Sequence, residues 1–536
     1  MVGQDITQPK ENMPTTQSKK LKVVSFYPTF SPSFWSFEYT VQKILKIGAT
    51  MPPLGLATVL AMLPTELFEL TPIIDLRFRP LRDEDVIGAD IVFVSAMIAQ
   101  RDSLRDVIAL AKKHKKLVVV GGPFATSSSD EVLAMGADHI VGGEAEMTLV
   151  PFLEDFVRGN ARQVYQEKDL IGTASQTLTT NNKPRMDQVT VIPRWDLVEV
   201  RMYSSLALQY SRGCPFDCEF CDITQMFGRS SRTKTPEQVI RELEAILATG
   251  FRGSIFIVDD NFIGNKISVR RLLEALKAWQ EKNNFPFSFF TEVSLNLANP
   301  DMSEVLKLMS EAGFEEIFVG IESTDPDALR ITRKVQNAGN LLEKVLIIQK
   351  AGLEVTAGFI IGLDGDKLGS GRTLADFIQA SGIVMPMPGL LTVLPGTRLE
   401  KRLTDEGRML GISGGNNTHH TTFNFRTLLP EEDLVREYVW LLENLFSARN
   451  YFSRCLVLQE RRGKVTHGQN RVNLQGFLAM LRVFRYYFAR LKLEPVKFML
   501  KTLTSKPSEF PRAVTQAAKF IHFERLTRAT LQNYRT

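Results

Sequence analysis

The sequence predicts an α/β protein with three structured parts: an N-terminal doubly wound αβ domain over 20–158, a partial (βα)6 barrel over 201–426, and a mainly helical region over 427–536. Three observations predict it. Between residue 21 and about 158, short apolar runs alternate with stretches of helical spacing, the pattern of a parallel sheet covered on both faces. The alternation resumes near residue 205 and gives six candidate strands, too few for a complete eight-fold barrel. Beyond about Thr427 only helical spacing remains. A chain of 536 residues accommodates about three domains of roughly 100–200 residues. Hydrophobic residues at 44% and charged residues at 23% are close to globular averages and exclude wholesale disorder. A formal charge of +5 is small for this length, and no nucleic-acid partner is expected from it.

Taken in order, residues 1–19 are polar, lack the apolar stretch of a secretory signal and read as a disordered tail. A strand over 21–26 follows and ends at Tyr27-Pro28. The Pro52-Pro53 pair opens a helix within 51–63. Strands are expected over 70–75, 91–95, 117–120 and 139–141, with a helix over 102–113. Ser95, Gly121-Gly122 and Gly143-Glu144 stand at the carboxyl ends of these strands, where ligands of open parallel sheets bind. Taken alone, each Gly pair reads as a turn. The polar stretch 159–200 is expected to be a linker with little regular structure. Barrel strands are expected over 206–210, 254–258, 287–292, 316–321, 355–361 and 389–393, with helices over 235–249, 269–282, 302–312 and 341–351. Pro430-Glu431-Glu432-Asp433 opens the helical region. Within it, the basic, aromatic stretch 476–490 forms an amphipathic helix that either packs on the barrel or lies on a membrane surface. No apolar run approaches the roughly 20 residues of a membrane-spanning helix.

The chemistry is concentrated in Ser211-Arg212-Gly213-Cys214-Pro215-Phe216-Asp217-Cys218-Glu219-Phe220-Cys221-Asp222. Three of the four cysteines fall here, spaced Cys-x3-Cys-x2-Cys, which points to a metal site in a reducing, cytoplasmic compartment. Three thiolates on one loop suit three irons of a [4Fe–4S] cluster and leave the fourth iron open to a substrate. The alternatives are zinc, with Cys455 or His419/His420 as the fourth ligand in a zinc-stapled nucleotide-binding protein, and three unliganded thiols.

This string resembles the signature of the radical S-adenosylmethionine enzymes, Cys-x3-Cys-x-aromatic-Cys, with Phe220 at the aromatic position. The resemblance implies that Cys214, Cys218 and Cys221 hold the cluster and that the open iron chelates S-adenosylmethionine, which is cleaved to methionine and a 5′-deoxyadenosyl radical. It also implies cofactor contacts at later strand ends: Asp259, Asp260 and Asn261, then Glu292 and Ser294, then Glu322, with Phe220 beside them. Each, read singly, is equally an ordinary ion pair or helix cap. The N-terminal unit is similar to the cobalamin-binding domain that precedes the barrel in one group of these enzymes. Ser95, Gly121, Gly122, Gly143 and Glu144 would then face cobalamin. The cobalt-ligating His of many such domains is missing from Asp75-Leu76-Arg77-Phe78-Arg79-Pro80, as it is in many radical members.

The resemblance spans about residues 20–455 and is strongest over 212–223, 232–238 and 258–265. It extends to the subgroup containing the bacteriochlorophyll side-chain methylases and the hopanoid C-2 methylase. The expected activity is cobalamin-dependent methylation of an unactivated carbon in a large apolar substrate. The cluster-loop pattern favours a tetrapyrrole over a hopanoid-type lipid, and a non-methylating step with the same cofactors is the rival within the class. A reducing partner such as flavodoxin or ferredoxin, and peripheral contact with the inner face of a membrane, complete the expectation.

Overall fold

A computed structural model describes residues 19–169, 179–180, 183–189, 191–411, 422–463 and 474–535. The expected tail, part of the linker, and His419 and His420 lie outside the described residues.

The first unit is a parallel sheet whose strands and helices run β1 (Leu21–Tyr27), α1 (Leu54–Ala61), β2 (Phe68–Leu70), β3 (Ile74–Asp75), β4 (Ile91–Ser95), α2 (Arg101–Lys113), β5 (Leu117–Gly121), β6 (His139–Val141), α3 (Ala145–Val157) and β7 (Val164–Tyr165). The strand order is β2-β1-β4-β5-β6-β7, with β3 also paired to β1. Side chains alternate across the sheet. Val24, Val92 and Val118 therefore meet Leu104, Val107 and Ile108 of α2 on one face. Val23, Phe93 and Val119 meet Leu56 and Leu60 of α1 and Phe152 of α3 on the other. Each such buried side chain stabilises the sandwich by about 1.5–3 kcal/mol.

The second unit is a six-stranded parallel sheet, β8 (Ser205–Leu208), β9 (Gly253–Ile257), β10 (Phe287–Val293), β11 (Phe314–Glu322), β12 (Glu354–Ile361) and β13 (Pro386–Leu390), paired in sequence order. Helices α4 (Pro236–Ala248), α5 (Lys266–Lys282), α6 (Ser303–Glu311), α7 (Leu341–Lys350) and α8 (Ser370–Ser381) connect them. Local chemistry fixes the starts. Thr235 and Gln238 form a capping box on α4, and the Asn265 side chain accepts from the Ser268 amide on α5. Inside the barrel Phe256 stacks on Phe290 at 4.6 Å, and Trp35 covers Phe318 at 5.0 Å.

Helices α9 (Glu431–Leu445), α10 (Ala448–Arg461), α11 (Leu474–Phe488), α12 (Leu493–Ser505) and α13 (Phe510–Arg535) form the C-terminal region. Its buried side chains are continuous with the barrel core. A cavity of about 580 Å³ lies at the amino ends of the barrel strands, bounded by Trp35, Ser205, Ser254, Met480 and Val514. Among the described residues no helix is long and apolar enough to cross a membrane.

Two expectations shift. The described part of the linker is packed rather than loose: β7 extends the first sheet to Tyr165, and Gln238 Nε2 donates to the Val189 carbonyl at 2.6 Å. The last barrel strand begins at Pro386 instead of Gly389. Its prolines lack N–H donors but are tolerated on this edge strand, whose ladder needs only one side.

Candidate active site

The cysteine loop leaves the carboxyl end of β8 and is fastened from several elements. Asp259, following β9, accepts from the Tyr210 amide at 2.8 Å and the Ser211 hydroxyl at 2.7 Å. Asp260 accepts from the Gly213 amide at 2.8 Å. Gly213 has φ +91, and a Cβ there would lie 2.5 Å from the Ser230 carbonyl, so only glycine fits the turn before Cys214. On the far side Arg402 donates to both oxygens of Glu219 (2.9 and 3.1 Å), and Arg333 and Arg398 each reach Asp217 at 3.0 Å.

The sulfurs are surrounded by donors. Gln336 Nε2 lies 3.4 Å from Cys218 Sγ and Asn261 Nδ2 lies 3.9 Å from Cys214 Sγ. The largely buried Lys334 ammonium sits over the Phe220 ring at 5.6 Å and acts on Cys218 and Cys221. Burial pushes the Cys221 thiol up to about 12. Amide donors and a buried cation favour sulfur in its thiolate form, so this donor set fits an iron–sulfur cluster. Among the described residues no three Cys, His, Asp or Glu side chains converge on one ion. A cubane needs no such convergence, since each thiolate takes a separate iron. Cys455 is fully buried in α10 and feels Glu354, at the amino end of β12, so it stands at the opposite end of the barrel from the loop.

The strand-end carboxylates divide into two groups. Asp259 and Asp260 accept hydrogen bonds from the cysteine loop and hold it to the end of β9. Asn261 likewise accepts from the Ser294 amide and hydroxyl, both at 3.2 Å, and so ties β10 to the loop. Glu322 and Glu292 face the interior. Glu322 sits at φ +64 beside a register irregularity in β11 and pairs with Lys334 at 2.8 Å. Glu292 makes no side-chain hydrogen bond among the described residues. Burial, then the neighbouring Asp260, pushes its carboxyl up to about 8. Burial likewise raises Asp259 to about 7 and Asp260 to about 6. Glu292 is raised the most, and a cationic ligand beside it would draw off its proton.

The carboxyl edge of the first sheet faces this loop. One cavity of about 270 Å³ is lined by Ser95, Gly121, Gly122, Gly143 and Glu144 from the first unit and by Gln209, Arg212 and Val258 from the barrel. No His is among its lining residues. Glu144 also clasps the two units. Its buried carboxylate accepts from Arg212 at 2.6 Å and from Arg232 at 2.6 and 3.1 Å, while Arg212 reaches Glu146 at 2.9 Å. At Gly122, with φ +88, a Cβ would meet Ser95 Oγ at 2.7 Å. This glycine is therefore required by its own turn, whatever occupies the cavity. Asp75, within the segment lacking the His, accepts from Arg77 Nε at 2.9 Å and the Tyr203 hydroxyl at 2.9 Å.

Family models match the chain over 43–153 (B12 binding domain), 208–378 (radical SAM superfamily) and 397–536 (a domain of unknown function). An uncharacterized methyltransferase of Synechocystis sp. is 42% identical over 81% of this chain and 78% of its own. The hopanoid C-2 methylase of Rhodopseudomonas palustris is 35% identical over 77% of this chain and 75% of its own. The chain belongs to the cobalamin-binding radical S-adenosylmethionine methyltransferases. The solved structure of TsrM from Kitasatospora setae, a member with cobalamin and a [4Fe–4S] cluster bound, shares the fold at TM-score 0.59 and 15% identity, covering 97% of this chain and 100% of that one. The cofactors of this family are a [4Fe–4S] cluster, S-adenosylmethionine and cobalamin.

Several residues that shape this methyltransferase site carry no sequence signal. Lys334, Gln336 and Arg402 arrive from later connections, and no local pattern marks a Lys or Gln that will meet a sulfur more than a hundred residues away. Gly55, which lines the cavity, is masked by its position inside a helix. Arg232 of the 232–238 match was visible as a motif residue and Glu144 as a strand-end residue, but their pairing was not.

Proposed function

We propose that this methyltransferase acts on an unactivated carbon of a large, apolar, polycyclic substrate, a hopanoid-type lipid before a tetrapyrrole. The observation that carries the reading is the shared cavity: the five strand-end residues of the first unit and the entry to the cysteine loop line one space. The 35% identity to a hopanoid C-2 methylase supports the lipid. The tetrapyrrole reading rests on the cluster-loop pattern.

In this reading Cys214, Cys218 and Cys221 hold the cluster, and Gln336 and Lys334 supply a hydrogen-bond donor and a positive charge beside the sulfurs. Asp259, Asp260 and Asn261 keep the loop in place without touching substrate. Glu292 and Glu322 receive the ammonium and ribose of S-adenosylmethionine, with Phe220 beside them, and the ligand's positive charge draws the proton from Glu292. Ser95, Gly121, Gly122 and Gly143 line the cobalamin crevice, while Glu144, Arg212 and Arg232 hold the two units in register. Once loaded, the cluster supplies an electron and cobalamin carries the methyl group, while the protein orients both and excludes water. A flavodoxin- or ferredoxin-type reductant and peripheral contact with a membrane belong to the same proposal.

The test is anaerobic reconstitution followed by product analysis, together with lipid and pigment profiles of a deletion strain and its parent. S-adenosylhomocysteine formed alongside 5′-deoxyadenosine, with loss of one methylated polycyclic lipid in the deletion strain, is expected. 5′-Deoxyadenosine without S-adenosylhomocysteine would overturn methyl transfer in favour of a ring-forming or rearranging step. Loss of a methylated pigment instead would select the tetrapyrrole.

A further inference from the structure

The helical hairpin of α11 and α12 has two faces of different character. Inward, Val483, Tyr487, Phe498 and Met499 are buried, and the Tyr487 hydroxyl donates to the Ala517 carbonyl at 2.6 Å. Outward, Leu481 and Phe488 stand seven residues apart on α11, and Leu493 and Leu500 stand seven apart on α12. Each pair therefore lies on one helical stripe, and all four are exposed. At the turn between them Leu491 is 85% exposed and is held at φ +52. A large apolar side chain is there presented to solvent on a backbone that disfavours it, a combination that folding alone does not select.

Charge distinguishes this face from an ordinary contact surface. Residues 474–506 carry seven Lys or Arg against the single acid Glu494, whereas the whole chain has an excess of only +5. Arg485, Arg490, Lys497 and Lys501 are exposed around the leucines. Arg485 and Lys501 have no ion-pair partner among the described residues. Arg482 is not part of this outward set: it donates to the Ile44 carbonyl at 3.0 Å and anchors the hairpin to the body of the protein.

We infer that this hairpin docks on the surface of an anionic phospholipid bilayer, with Leu491 and its neighbours entering the headgroup region and Arg485, Arg490, Lys497 and Lys501 meeting lipid phosphates. Apolar side chains ringed by exposed cations fit a negatively charged interface better than a second copy of this equally basic face, which would repel it. The inference rests on the hairpin and not on which substrate is methylated.

Co-sedimentation of the full chain with phosphatidylglycerol/phosphatidylcholine vesicles, against phosphatidylcholine alone, tests it at low and high salt. Binding to the anionic vesicles that weakens with salt is expected. R485E/K501E should weaken it on the order of tenfold or more. Leu491→Asn removes the apolar tip with a residue that accepts positive φ, so it should lose vesicle affinity while thermal stability is kept or raised. Absence of binding at low salt, equal binding to neutral vesicles, or unchanged binding by both variants would overturn the inference. Concentration-dependent dimerisation abolished by Leu491→Asn, without vesicle binding, would overturn it in favour of self-association.

Discussion

At the scale of single residues, the four cysteines divide by environment rather than by chemistry. Cys214, Cys218 and Cys221 lie among amide donors and the Lys334 ammonium. Cys455 lies in an apolar helix interface at the other end of the barrel, where burial holds its thiol well above the ordinary range. Cys218→Ala should therefore abolish 5′-deoxyadenosine formation and lose most of the iron after anaerobic reconstitution. Cys455→Ala should keep its full iron and sulfide content at a modest cost in stability, because it removes only a buried sulfur. Iron loss in Cys455→Ala matching that of Cys218→Ala would contradict the three-ligand assignment. The cysteines were legible because their spacing is local. Lys334 and Gln336 were not, since nothing near residue 335 in the sequence indicates that the chain returns to Cys218.

At the scale of elements, the least expected contact joins α13 to the segment between β1 and α1. His522 on α13 bonds the Ser33 carbonyl at 2.8 Å and lies among Phe37, Tyr39 and Phe523. Burial pushes its imidazole down to about 4, whereas the unfolded chain takes up the proton near 6.5. The folded state therefore binds fewer protons in this window. Stabilisation is present above pH 6.5 and is lost as pH falls toward 4, by about 3 kcal/mol at about 1.4 kcal/mol per unit. His522→Gln keeps a donor but does not titrate. Urea midpoints measured between pH 7 and pH 4 should fall more steeply for the wild type than for this variant. Parallel slopes would show that another group governs the acid limb.

At the scale of the whole molecule, function depends on how the first unit sits over the barrel. The Glu144 clasp sets that arrangement, and the shared cavity is its product. Gly55 on α1 offers a clean probe, since a Cβ there meets nothing within 4 Å and the helix gains from losing a glycine. Gly55→Trp should carry an indole into the cavity from a position where the first added carbon meets no clash. Bound cobalamin, read from its visible absorption and from cobalt analysis, should fall at least about tenfold. S-adenosylmethionine cleavage should continue, uncoupled from methyl transfer. A folded variant with full cobalamin content would exclude this cavity as the binding site.

The sequence by itself determined the two αβ units, the number of barrel strands, and the three cysteines with their aromatic neighbour. Each of these is written in local periodicity or in residues a few positions apart, where backbone geometry allows little choice. It also named the strand ends at which ligands would gather, because parallel sheets leave those ends open. Only the tertiary structure decided which strand-end carboxylates are tied to the cysteine loop. Asp259 and Asp260 accept from backbone amides of the loop, while Glu292 makes no side-chain hydrogen bond among the described residues. It likewise decided that the stretch around 474–506 packs through one face and leaves a second apolar face in solvent. These outcomes depend on which distant groups arrive as partners, and partnership between residues hundreds of positions apart is settled by packing, not by pattern.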